Sequence, residues 1–213
     1  MAPTPPASAA DGAPLLIACA LGIERLALRR GAGGPATVLR TGMGPDAAAS
    51  AVTRALRDEP VPGRTAVVAT GFCAGLASGM HPGDLVLADA AHDGDGRTAC
   101  VGTERLAEAL APLGTLHTGP LAGSDHVVRG AERAELRATG AIAVDMESAA
   151  TLRAAVRSAP DRPVAAVRVV VDAPEHELIR VGTLKGGISA FRVLRAVLPA
   201  FLEWHRSLLL PRR

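Results

Sequence analysis

The chain has 213 residues, the length of one ordinary domain, which buries about 70% of its unfolded surface. Its 23 basic residues against 21 acidic leave a formal charge of +2 without a basic cluster, and only 2% of residues are aromatic, which argues against nucleic-acid binding and for small ligands. Cys19, Cys73 and Cys100 stand singly with no CxxC spacing, which argues against a disulfide framework or a zinc site. No run approaches the length of a membrane span. A soluble protein of a reducing cytoplasm, without metal or cofactor, is expected.

Met1 to Ala13 are proline-rich, with neither a basic start nor a long apolar core, and read as a disordered tail and not a signal peptide. A single domain over 14–213 follows. Strands are predicted at 15–20, 38–41, 65–70, 85–90, 141–144 and 164–171, mostly as continuous apolar runs suited to a sheet covered on both faces. Helices are predicted at 46–57, 103–110, 131–138 and 147–157, and from 189 to about 210, where Pro199 should introduce a kink. The alternation implies a three-layer α/β domain.

The most informative stretch is Ala143-Val144-Asp145-Met146-Glu147-Ser148-Ala149-Ala150. It sets two carboxylates and a thioether where an apolar strand gives way to a helix. Acids there face the carboxyl edge of the sheet, the usual ligand side of an α/β fold. The plainer alternative is that Asp145 caps the helix and Glu147 occupies its first turn. Three further segments join it: Val67-Val68-Ala69-Thr70-Gly71-Phe72-Cys73-Ala74-Gly75-Leu76, a strand entering a glycine-rich turn; His81-Pro82-Gly83-Asp84-Leu85; and Val167-Arg168-Val169-Val170-Val171-Asp172. The spacing of Gly71 and Gly75 lacks the G-x-G-x-x-G of a dinucleotide site.

In this order, the four segments resemble the purine nucleoside phosphorylase and methylthioadenosine/S-adenosylhomocysteine nucleosidase superfamily, over roughly residues 15–172. With Thr41-Gly42-Met43-Gly44-Pro45, the chain looks most like the hopanoid-associated phosphorylase branch. The resemblance implies a central mixed, partly barrel-like sheet flanked by helices, and a homo-oligomer, in the first instance a dimer. It also implies cleavage of a purine nucleoside at the N-glycosidic bond. The expected substrate is an adenine nucleoside with a bulky apolar 5′ substituent, such as adenosylhopane. A methylthioadenosine/S-adenosylhomocysteine nucleosidase and a noncatalytic nucleoside-binding protein are the alternatives.

The resemblance also distributes roles. Asp172 matches the aspartate that protonates the base at N7 and for that must hold a proton near neutral pH, although Val171 replaces the usual serine before it. Glu147 matches the glutamate that grips the ribose hydroxyls, and Met146 the methionine packed on the sugar. Arg168 is expected to pair with Glu147 or Asp172, or to serve structure alone. Glu24 falls where nucleosidases activate water and phosphorylases tend to carry an arginine; the alternative is an exposed acid in the first turn of a helix running to Arg30. Gly71 and Phe72 belong to the glycine-rich turn, with Phe72 in place of a serine, and Ala69 stands where bacterial hexameric phosphorylases have an arginine. Arg25, Arg40 and the Gly42 to Gly44 loop still offer phosphate ligands, so phosphate stays open as a second ligand and hydrolysis is the favoured reading. Val127 and Val128 match the base pocket, with Val127 replacing a stacking aromatic, and Met43 matches the lining of the 5′ region. The C-terminal segment reads as a closing helix, or as a peripheral membrane contact through Trp204 to Leu210 and flanking arginines.

Overall fold

The computed structural model describes residues 13–29, 36–173 and 183–210. Of the expected tail over residues 1–13, all but Ala13, which is buried, lie outside the described residues, as do Arg212 and Arg213. In chain order the elements are β1 (Leu15–Cys19), α1 (Gly22–Arg29), β2 (Ala36–Arg40), α2 (Pro45–Arg57), β3 (Ala66–Gly75), β4 (Leu85–Asp93) and β5 (Gly96–Ala99). They continue with α3 (Thr103–Leu110), a 3-10 turn (Ala111–Leu113), β6 (Leu116–Gly123), α4 (Ala131–Ala138), β7 (Ala143–Asp145), α5 (Ser148–Ser158), β8 (Val164–Asp172), α6 (Thr183–Ala196) and α7 (Leu198–Leu208).

The strands form one mixed sheet that partly closes on itself. β3 lies parallel to both β1 and β8; β8 runs antiparallel to β4; β4 is parallel to β6, and β6 to β7. The end of β3 then pairs with β7 in the antiparallel sense, which completes a ring of five strands. β1 and β2 extend from it as an open parallel wing, and β5 folds back on β4. Because side chains alternate along a strand, each strand feeds two cores. Leu15, Ile17, Val68, Leu85, Leu87, Val167 and Val169 face one layer with Leu194, Phe201 and Trp204. Leu16, Ala18, Val67, Ala69, Val86 and Val164 face the other with Val52 and Leu152. The result is the expected three-layer α/β domain.

Several boundaries differ from expectation. The segment read as a glycine-rich turn after Thr70 continues as strand to Gly75, with a register shift between Cys73 and Ala74. β5 and β6 were not expected; their sequences, GRTA and LHTGPLAG, carry no continuous apolar run. The closing helix is two helices, because Pro199 has no N–H to continue α6 and sits instead in the first turn of α7. Trp204 is fully buried and its Nε1 donates to the Val101 carbonyl oxygen at 2.9 Å, so the indole belongs to the core and is not offered to a membrane. Among the described residues no helix is long and apolar enough to cross a membrane.

A buried ion pair ties the α2–β3 and α5–β8 connections to each other and to α5 at the strand-start end of the sheet. Arg162 Nη2 meets Glu59 Oε2 at 2.7 Å, and its Nη1 and Nε donate to the carbonyl oxygens of Thr65 and Ala155 at 2.7 and 3.1 Å. Burial disfavours the Glu59 carboxylate, but hydrogen bonds from Arg162 and Thr65 outweigh it and hold the carboxyl down at about 2. The folded-state value lies below the ordinary 4.5, so this contribution is present above about pH 4.5 and is lost as the pH falls toward about 2. Glu59→Gln should cost about 3–5 kcal/mol at neutral pH. It should also flatten the decline of the urea midpoint between about pH 5 and about pH 3 relative to wild type; equal declines would count against it.

Candidate active site

The carboxyl ends of β1, β3, β7 and β8 converge on one cavity of about 250 Å³, completed by the start of α1, by Met43 and by residues 126–128 and Arg133. Ligand sites belong on this side of an α/β sheet.

One end of the cavity is organised by a cation set behind its wall. Arg168 projects from the middle of β8, is 1% exposed, and ion-pairs with Asp145. Its Nε donates to Ser148 Oγ at 2.8 Å, and that hydroxyl donates to Asp145 Oδ2 at 2.6 Å. The Ser148 N–H reaches Asp145 Oδ1 at 3.1 Å, so Asp145 bonds the first residue of α5 and holds the arginine as well, while Glu147 stands at the N-cap position and not in the first turn that the plainer reading gave it. Arg168 Nη1 lies 3.9 Å from Glu147 Oε2. Glu147 Oε1 accepts the Gly44 N–H at 2.9 Å, which draws the Gly42 to Gly44 loop over the cavity. Burial pushes the Glu147 carboxyl above its ordinary value against the pull of Arg168.

Glu24 is the third carboxylate in this cluster. Its Oε2 accepts the N–H groups of Ala20 and Leu21 at 2.9 and 2.8 Å, the reach of a third-position helix glutamate back to its own N-cap. Its Oε1 accepts the Phe72 N–H of β3 at 2.8 Å. Glu24 is 2% exposed, so it is a first-turn acid turned inward and not a surface one.

At the other end stand Asp172, Val127 and Val128. Asp172 is ion-paired with Arg133 of α4, whose Nε donates to the Val128 carbonyl oxygen at 3.3 Å. Val128 is buried and Val127 is 53% exposed. Cys73 also touches the cavity, but burial pushes its thiol far above the ordinary range, which removes it as a nucleophile. Among the described residues no group of three or more His, Cys, Asp or Glu side chains is placed to hold a metal ion.

The profile of the Phosphorylase superfamily matches residues 23–198. The chain belongs to that superfamily. A comparison with curated proteins finds no match. Solved structures of similar fold include the methylthioadenosine/S-adenosylhomocysteine nucleosidase of S. pneumoniae with a transition-state inhibitor. It is 22% identical over 89% of this chain and 98% of that one, with a TM-score of 0.75. The corresponding nucleosidase of Neisseria meningitidis, in complex with methylthio-immucillin-A, is 19% identical over 91% and 98%, with a TM-score of 0.73. A futalosine hydrolase mutant of Helicobacter pylori is 16% identical over 88% and 97%, with a TM-score of 0.73. All three share the fold of this superfamily member.

In this superfamily member, Glu24, Glu147, Asp172, Met146, Met43, Phe72, Val127 and Val128 line the one cavity, whereas Gly71 and Arg168 do not. Arg168 is shielded behind the wall by the carboxylates it holds; it pairs with Glu147, one of the two expected partners, and with Asp145, which was not expected, and not with Asp172. Gly71 lies behind the wall for a steric reason: a Cβ there would meet Glu24 Oε1 at 2.4 Å and Arg168 Nη1 at 2.8 Å. Arg25 and Arg40 are not on the wall either. Sequence reasoning missed Arg133 altogether and saw Ser148 only as motif.

Gly71 has φ of 135° besides that crowding, while Gly79 has φ of 78° and open space around its would-be Cβ. Gly79→Ala should therefore lose only the conformational cost, about 1 kcal/mol. Gly71→Ala should lose about 3 kcal/mol or more, since it adds displacement of a buried carboxylate. Equal losses in denaturant titration would refute the close approach of Glu24 to β3.

Proposed function

We propose that the chain hydrolyses the N-glycosidic bond of a purine nucleoside, releasing adenine from a ribose that carries a bulky apolar 5′ group. The observation that carries this reading is Glu24, buried at the cavity and held by three backbone N–H groups. A carboxylate has about four lone-pair directions, so one stays open to take a proton from water. Cleavage leaves positive charge on the ribose, and Glu147 and Met146 are assigned to the sugar, where a carboxylate gains most as the ring becomes cationic. At the opposite end Asp172 meets the leaving base, where the superfamily resemblance gives it the task of protonating N7.

Charge favours water over phosphate. At the sugar end Glu24, Asp145 and Glu147 stand against Arg168 alone, a formal balance of −2. A phosphate dianion would meet repulsion of roughly 4 kcal/mol per pair of unit charges at about 4 Å, taking an effective dielectric of about 20. The Gly44 N–H, one candidate phosphate ligand, is already taken by Glu147.

The apolar 5′ group is supported by Leu21, Met43 and Val127 on the wall, with Met43 60% exposed. Adenosylhopane is the proposed type, after the resemblance to the hopanoid-associated branch. A second reading, methylthioadenosine/S-adenosylhomocysteine nucleosidase, is favoured by the names of the structures that share the fold. A cytoplasmic homodimer completes the proposal, since three free thiols suit a reducing compartment and Ile23 and Leu26 of α1 are more than half exposed.

Incubation with a panel of 5′-substituted adenosines in phosphate-free buffer should yield free sugar and adenine, with the larger apolar substituents preferred. A sugar 1-phosphate formed only when phosphate is added would overturn hydrolysis. Glu147→Gln should lower kcat by roughly 10²-fold or more while changing KM little. The acid limb of the wild-type profile should lie above the ordinary glutamate value of 4.5, because the Glu147 carboxyl is raised and acts ionised. An acid limb at or below that value would remove Glu147 from the sugar.

A further inference from the structure

Between the end of β6 and the start of α4, residues 124–129 belong to neither helix nor strand, yet His126, Val127 and Val128 line the cavity. Val127 offers no ring for a base to stack on, so the fit there depends on how firmly this segment is held. Ser124 anchors its beginning. The Ser124 N–H donates to the Asp145 carbonyl oxygen at 2.9 Å, and the hydroxyl accepts the His126 N–H at 3.2 Å and donates to the His126 carbonyl oxygen at 2.9 Å. The other side is held by the His126 ring. Its Nδ1 lies 2.6 Å from Asp125 Oδ1, and its Nε2 lies 3.0 Å from a carboxylate oxygen of Glu132 in the first turn of α4. The next residue of that helix is Arg133, which bonds the Val128 carbonyl oxygen and ion-pairs with Asp172.

We propose that His126 is a positioning residue for the base end of the cavity: as an imidazolium it clasps the 124–128 segment to α4, and loss of one ring proton opens the clasp and loosens Val127 and Val128. This rests on the nucleoside reading above, whose leaving base meets that wall. A neutral imidazole carries one donor and one acceptor, whereas an ionised carboxylate only accepts. The neutral ring can therefore satisfy one of the two acids and must turn a lone pair on the other. Only the doubly protonated ring donates to both.

The charged groups that face the ring are Asp125 on its own segment and Glu132 on α4, since Arg133 is turned to Asp172. Both acids favour the cation. The hydrogen bond to Asp125 first, and then the hydrogen bond and charge of Glu132, hold the imidazole above its ordinary 6.5. The folded-state value is raised, so the clasp is complete below about pH 6.5 and is lost as the pH climbs through that raised value. With the His126 side chain 58% exposed, two such contacts add little to global stability. Their effect is local, on a segment with no strand or helix ladder of its own.

Calorimetric titration with adenine from about pH 5.5 to about pH 9 spans the change of ring charge. Wild-type affinity should be level below about pH 6.5 and then fall about 3- to 10-fold, the scale of two exposed charged contacts. D125N and E132Q each remove one acid that retains the second ring proton, so the midpoint of the fall should move to lower pH. H126K keeps a cation over the whole range and should show no fall; H126F should bind adenine weakly throughout. In the free wild-type protein, the His126 ring proton and the Val127 and Val128 methyl resonances should titrate by NMR with one common midpoint. A midpoint that stays in place in both D125N and E132Q, H126F binding as tightly as wild type at about pH 6, or valine methyls that ignore the ring would each overturn the proposal and leave the nucleosidase reading intact. If the methyls follow the ring while no purine base binds and no adenine nucleoside is cleaved, the clasp stands and the nucleoside reading falls alone.

Discussion

A single buried guanidinium organises the candidate site. Arg168 sits in the middle of a strand that is otherwise valine and alanine up to its terminal Asp172, with 1% exposure, and its charge is tolerable there only because Asp145, Glu147 and Glu24 surround it. The dependence runs both ways, since three carboxylates drawn together without that cation would repel one another and shed their charge. Burial alone would weaken the charge on Arg168; the three acids outweigh it and raise its pKa. Such a cluster brings little net stability once desolvation is counted. What it brings is position: the β7–α5 junction, β8 and the start of α1 are held in one mutual arrangement.

The sheet explains why these elements meet at all. β3 serves two partnerships, its first half lying between β1 and β8 and its end crossing to β7. The register shift between Cys73 and Ala74 marks the place where the strand changes partners, beside Phe72, whose N–H holds Glu24. Closing the ring this way brings strand ends from distant parts of the chain around one small cavity.

Much of this was readable in the sequence, and the exceptions have physical causes. Apolar runs announced β1 and β8 to within a residue, and the start of β4, because a strand covered on both faces must be apolar throughout. β6 and β5 carry Gly, Pro and polar residues, and only pairing makes strands of them, with β4 for both and with β7 for β6. Gly71 looked like a turn residue; its absent side chain serves instead to admit Glu24. The motif around Glu147 pointed to the cavity because strand end and helix start fall together in sequence. Arg133 gave no such signal. It lies on a polar helix with no buried residues, and its pairing with Asp172 spans 39 positions, so only the folded chain brings the two together.

Trp204 is the sole tryptophan of a chain without tyrosine, and it is sealed between α3 and α7, away from the cavity wall. Near-ultraviolet absorbance and fluorescence of the protein therefore come almost entirely from one indole lodged in the core. That indole reports loss of the packed state and is blind to occupancy of the cavity. The rest of the chain is close to transparent where purines absorb, so ligand and fold can be followed in one cuvette as two separate optical channels.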